Sequence, residues 1–121
     1  MKITQIFIFV FVLCTTASLQ GATIDTLKVH SASMNKEIPV IVIAPETSDQ
    51  SAQFPVIYLL HGHGGDEYNW IHVKPELPEM ADRDGIIVVC PDGENSWYWD
   101  SPVNPTMRYE TFVSQELPDY I

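Results

Sequence analysis

Two unbroken apolar runs set the terms for everything this chain can become. The first, Val56-Ile57-Tyr58-Leu59-Leu60, stops at His61-Gly62-His63-Gly64-Gly65-Asp66. A run apolar at every position reads as a strand covered on both faces, as in parallel sheets with helices above and below. Glycines at the carboxyl end of such a strand let the backbone turn sharply and leave N–H groups free to meet a ligand. The second run, Ile86-Ile87-Val88-Val89-Cys90, stops at Pro91-Asp92-Gly93.

Between the runs, Leu77, Met80 and Ala81 fall at helical spacing, ahead of Gly85 as a stop. Strand, helix, strand is a right-handed βαβ unit. Upstream, the alternating stretch 24–30, a turn at 33–36 and the stretch 38–44 predict an antiparallel hairpin at a sheet edge, where Pro39 is tolerated. A polar stretch, 46–53, reads as a loop, 66–74 is mixed, and 96–107 is an irregular loop with Trp97, Tyr98 and Trp99. Tyr109, Phe112, Val113, Leu117, Tyr120 and Ile121 keep helical spacing. Asn104 is the expected N-cap, Pro105 the first helical residue and Pro118 a kink or stop. The pattern halts at Ile121 within an element and leaves an apolar strand edge. The chain therefore reads as the N-terminal part of a larger domain.

Lys2, the nine apolar residues from Ile6 to Cys14 and the small and polar residues from Thr15 to Ala22 follow the order of a secretory signal peptide. The apolar run is shorter than the ~20 residues of a membrane span. Residues 1–21 are read as the leader and 22–121 as the exported domain, secreted or periplasmic. Without Lys2, five basic residues face sixteen acidic ones, a charge of −11. That balance argues against nucleic acid or an anionic membrane as partner, and the scattered acids read as a solvated surface. Cys14 leaves with the leader. Cys90, followed by Pro91 and Asp92, reads as a buried thiol rather than a nucleophile.

The stretches Pro55–Gly62, Trp70, Val88–Gly93, Ser96-Trp97-Tyr98, Tyr109–Phe112 and Glu116-Leu117 together resemble the esterase D-like family of α/β-hydrolases. The resemblance implies the N-terminal part of an α/β-hydrolase fold: an edge hairpin plus a parallel βαβ unit, without cofactor. It also implies a serine carboxylesterase, with acyl esters of small molecules or carbohydrate polymers as substrates. In that family the serine lies on a Gly-x-Ser-x-Gly elbow after the next helix and strand, and the aspartate and histidine come later. None of the eight serines here is so flanked. What this chain holds, by the resemblance, is the oxyanion side of the site. The backbone N–H of His63 is the expected donor, Gly62, Gly64 and Gly65 shape the turn, and Gly62, Gly64, Trp97 and Tyr98 are expected beside substrate. A fixed N–H aimed at a tetrahedral oxyanion is worth ~3–4 kcal/mol.

His61 lies upstream of any such serine, whereas the base follows it in this fold, so His61 reads as a packed, hydrogen-bonded side chain. Two alternatives stand beside the esterase. His61, His63 and Asp66 resemble a metal-dependent hydrolase motif, with the spacing one residue too long and Glu67 in place of its next histidine. The other is a truncated, non-catalytic binding module. Trp70 is expected to pack the loop, and His30 and His72 carry no motif.

Overall fold

The computed structural model describes residues 21–121, so the leader read over 1–21 lies, apart from Gly21, outside the described residues. One mixed sheet organises the rest. It consists of β1 (Thr23–Ser31), β2 (Lys36–Ala44), β3 (Val56–Tyr58) and β4 (Ile87–Pro91), in the order β1-β2-β4-β3. β1 and β2 form the antiparallel hairpin, with Val29 opposite Ile38. β2 is antiparallel to β4, and β3 runs parallel to β4 with Ile57 opposite Val88.

Alternation along β4, and along β2 from Ile38, explains why neither has a polar face. Ile38, Val40 and Val89 face one side, where they meet Tyr109, Phe112 and Leu117. Ile41, Ile43, Val88 and Cys90 face the other, against Leu77 and Ala81. The first side is covered by α3 (Tyr109–Thr111), a π-helical turn (Phe112–Glu116) and α4 (Leu117–Tyr120). The second is covered by α1 (Asn69–Val73) and α2 (Leu77–Asp84). Each fully buried isoleucine or phenylalanine contributes about 1.5–3 kcal/mol of apolar transfer. As expected, α2 buries Leu77 and Ala81 and ends at Gly85, whose φ of 63° is the left-handed cap conformation. Among the described residues no helix is long and apolar enough to cross a membrane.

Several expectations are corrected. Val56–Tyr58 is not covered on both sides: Val56 and Ile57 are 37% and 43% exposed. β3 pairs only with β4 among the described strands, so one edge and part of each face are open. Pro39 lies not on an edge strand but on β2, which has neighbours on both sides. It is accommodated because the β2–β4 ladder ends at Val40 and Pro91, while the Pro39 carbonyl still accepts the Asp92 amide at 2.9 Å. The mixed stretch 66–74 contains the short helix α1, led by Asp66, whose Oδ1 accepts the Tyr68 amide at 2.9 Å.

The C-terminal helix does not start at Pro105. Asn104 Oδ1 accepts the amide and hydroxyl of Thr106, closing a local turn, and the helix begins four residues later at Tyr109. Its first turn is held instead by Asp100, which accepts the Thr111 amide at 3.0 Å and the Thr111 hydroxyl at 2.5 Å. The π-helical turn sits just before Pro118, whose missing N–H and ring are incompatible with regular α-helical bonding to residue 114. Glu116, within that turn, accepts the Ser31 hydroxyl at 2.6 Å and the Ser33 amide at 2.7 Å, fastening the helix to the β1–β2 turn.

The hydrogen bonds from Thr111 hold the Asp100 carboxyl below the ordinary carboxylate range. A lowered folded-state value means the stabilisation is complete above the unfolded value near pH 4 and fades as pH falls through the folded one. Asp100→Ala should therefore lower stability by about 1 kcal/mol at pH 7. In urea titrations, the gap between variant and parent should narrow below about pH 4.

Candidate functional site

Because β3 and β4 are parallel neighbours, the loops leaving their carboxyl ends emerge side by side, where open α/β sheets gather their ligands. His61, Gly62 and His63 from one loop, and Glu94, Asn95, Trp97 and Tyr98 from the other, enclose a cleft of about 150 Å³.

His61 joins the two loops from below. It is 5% exposed, and its Nε2 accepts the Gly93 amide at 2.9 Å. The proton must then sit on Nδ1, which donates to the Gly62 carbonyl at 2.7 Å. Asp92 Oδ1 lies 3.3 Å from Nε2. That lone pair is already committed to Gly93, and the same carboxylate oxygen accepts the Glu94 amide at 2.8 Å. The contact is therefore not an ion pair. Both ring nitrogens serve backbone groups, in keeping with a packed rather than proton-transferring histidine.

The turn after His61 separates its amides by use. The Gly65 amide donates to the Gly62 carbonyl at 3.1 Å, and the Gly64 amide to Asn95 Oδ1 at 2.8 Å. The amide of His61 itself donates to the Tyr98 hydroxyl at 3.0 Å. Among the described residues no acceptor takes the amide of His63, nor that of Gly62 before it. Gly64 has φ of 79°, which disfavours any side chain. At Gly65 a Cβ would press to 3.0 Å from His61 Nδ1, whereas at Gly62 it would meet nothing within 4 Å. Gly64 thus shapes the turn without lining the cleft, and Gly62 keeps the floor open.

The second loop is strained. Glu94, Trp97 and Tyr98 have φ of 48°, 56° and 55°, at a cost of about 1–2 kcal/mol each. Ser96 holds the bend: its hydroxyl donates to the Gly93 carbonyl at 2.6 Å and accepts the Tyr98 amide at 3.0 Å. The Tyr98 ring packs against Gly93, so closely that a Cβ there would fall 2.2 Å from Cε1. Burial pushes the Tyr98 hydroxyl up to about 12, so it stays a neutral phenol when it accepts the His61 amide. Trp97 is 76% exposed and stacks on the His63 imidazole, with ring centres 5.7 Å apart. Trp70 anchors instead: its Nε1 donates to the Leu60 carbonyl at 3.1 Å.

The expected site residues thus fall into two groups. His63, Gly62, Trp97 and Tyr98 meet at the cleft. Asp66 is away from it and leads α1. Among the described residues no three His, Cys, Asp or Glu side chains gather as a metal ion requires, so His61, His63 and Asp66 do not form a ligand set. Cys90 is buried, and burial pushes its thiol up to about 11. Sequence reading missed Glu94 and Asn95; the only signal was the polar turn Asp92–Asn95 at a strand's carboxyl end.

Residues 31–121 match the sequence model of the family described as "Putative esterase". The chain belongs to this esterase family. It is 31% identical over 113 residues to the diacylglycerol acyltransferase/mycolyltransferase Ag85A of Mycobacterium gordonae, covering 86% of this chain and 32% of that protein. It is similar in structure to a ferulic acid esterase, with a TM-score of 0.68, 25% identity, and coverage of 83% and 43%. An S-formylglutathione hydrolase from Agrobacterium tumefaciens superposes with a TM-score of 0.72 at 24% identity, over 84% of this chain and 44% of that one. The fold is that of an α/β-hydrolase, and the chain spans about a third of the length of the curated relatives it matches.

Gly93→Ala should drive the Tyr98 ring off its seat and break its bond to the His61 amide. A loss of about 1–3 kcal/mol in urea unfolding is expected. Gly62→Ala, with open space around it, should change stability by less than about 0.5 kcal/mol.

Proposed function

We propose that the full-length protein is an exported serine carboxylesterase acting on acyl esters of carbohydrate. The observation that carries this reading is the His63 amide, without an acceptor among the described residues in a turn beside the cleft. Hydrolysis of an ester passes through a tetrahedral oxyanion, and a fixed, unengaged N–H beside the reacting carbonyl stabilises it where a mobile water would have to reorganise. The amides of Gly65, Gly64 and His61 are already bonded to Gly62, Asn95 and Tyr98, which leaves those of Gly62 and His63 to face a developing oxyanion. The nucleophile, acid and base of the family triad have no counterpart in these 121 residues and are assigned to further chain, consistent with the third of Ag85A that is covered.

The carbohydrate half of the reading rests on the other wall. His63 and Trp97 offer a stacked pair of flat rings at the cleft, suited to the face of a sugar or an aromatic acyl group. Glu94 also lines the cleft, its Oε1 accepting from Lys36 Nζ at 3.2 Å. A structural relative named as a ferulic acid esterase supports the aromatic acyl option. Export is supported by the leader pattern of residues 1–21, and the net acidic charge makes a phosphate-bearing substrate unfavourable.

Assays of the full-length protein test this directly. Feruloyl and acetyl sugar esters and p-nitrophenyl esters should be hydrolysed, a serine-directed phosphonate should abolish turnover, and a chelator should leave it unchanged. Sensitivity to the chelator with indifference to the phosphonate would transfer the protein to the metal-dependent class.

A further inference from the structure

We propose that Asn95 is a positioning residue for the oxyanion turn: by taking the Gly64 amide, it fixes the His63–Gly64 peptide plane and with it the orientation of the unengaged His63 amide. The inference rests on the esterase reading above. The turn includes Gly64-Gly65, the most pliable dipeptide a chain can have, and Gly64 sits at φ of 79°. Its internal bond, from the Gly65 amide to the Gly62 carbonyl, is a modest 3.1 Å. The shorter tie comes from outside, from Asn95 Oδ1 at 2.8 Å, across a sequence separation of 31 residues.

Asn95 is well placed to act as a fixed post. It follows Glu94, which is locked in a left-handed conformation with its amide on Asp92 Oδ1, and precedes Ser96, which is buried and bonded to Gly93. A carboxamide also suits the position chemically. It accepts the Gly64 N–H without a net charge, whereas a carboxylate there would put a negative charge beside the place where the oxyanion forms. Without the tie the turn would sample several orientations. A donor misplaced by about 1 Å can cost up to a hundredfold in rate.

The test uses the full-length protein with Asn95→Ala and Asn95→Asp. Asn95→Ala should lower kcat about tenfold and leave KM within about twofold, because the lost alignment matters only as the oxyanion develops. By NMR hydrogen exchange, the Gly64 amide should lose its protection while the His61 amide, bonded to Tyr98, keeps its own. Asn95→Asp should keep Gly64 protected yet still lower kcat, and its activity relative to the parent should recover as pH falls towards about 4 and the new carboxylate is neutralised. A role confined to packing would not produce that pH dependence. Asn95→Ala with kcat within about twofold of the parent, or a Gly64 amide already unprotected in the parent, would overturn the proposal. Were no ester hydrolysed by the parent, the esterase reading would fall, and the exchange rates at Gly64 would decide the tether alone.

Discussion

The imidazole of His61 joins the two halves of the cleft. A neutral ring has one donor and one acceptor, and here both are spent on backbone, the acceptor on Gly93 and the donor on Gly62. The Gly93 bond holds the two loops from parallel neighbouring strands at a set spacing below the cleft, and the Gly62 bond fixes the ring within its own loop. Burial matters to this: in a site nearly closed to water, an unsatisfied ring nitrogen would cost about 1–3 kcal/mol, so the loops are held where both bonds survive. Tyr98 adds a second bond between the loops by accepting the His61 amide, and Asn95 a third by accepting that of Gly64. The cleft is thus assembled by backbone groups reaching side chains of the opposite loop.

The sheet beneath follows from a simpler rule. β4, and β2 from Ile38 onwards, carry apolar residues at every position because each has helices over both faces, and their parallel or antiparallel partners complete the ladders. For β4 that much was legible from the run Ile86–Cys90, as were α2 and its glycine stop, whereas β2 read as part of an edge hairpin. Which strand lies at the margin was not legible. Strand order depends on pairings between distant segments, and the run at Val56–Leu60 reads as apolar whether or not a further strand covers it. Pro39 misled for the same reason: the proline alone indicates an edge, whereas the ladder beside it simply ends.

The candidate site was legible where chemistry is local. His-Gly-His-Gly-Gly after a strand marks a ligand-facing turn, and the aromatic run 97–99 marks a second loop near it. Contacts across long sequence separations were hidden. Nothing in the string ties Asn95 to Gly64 or Tyr98 to the His61 amide, and Gly93 reads as an ordinary turn residue until the Tyr98 ring is seen resting on it. The helix cap failed similarly: Asn104-Pro105 satisfies the local preference, but Asp100 reaches Thr111 eleven residues on and wins the helix start.

The loop that carries Glu94, Trp97 and Tyr98 holds three side-chain-bearing residues in a backbone region suited to glycine. Selection for robustness and selection for a shaped cleft therefore pull these positions in opposite directions. Glycine there would relax the chain but add freedom to the wall that faces the ligand, and at two positions it would also remove a ring. A lineage under heat would be drawn to exchange those rings for an easier bend, and one under pressure for discrimination would keep the tension.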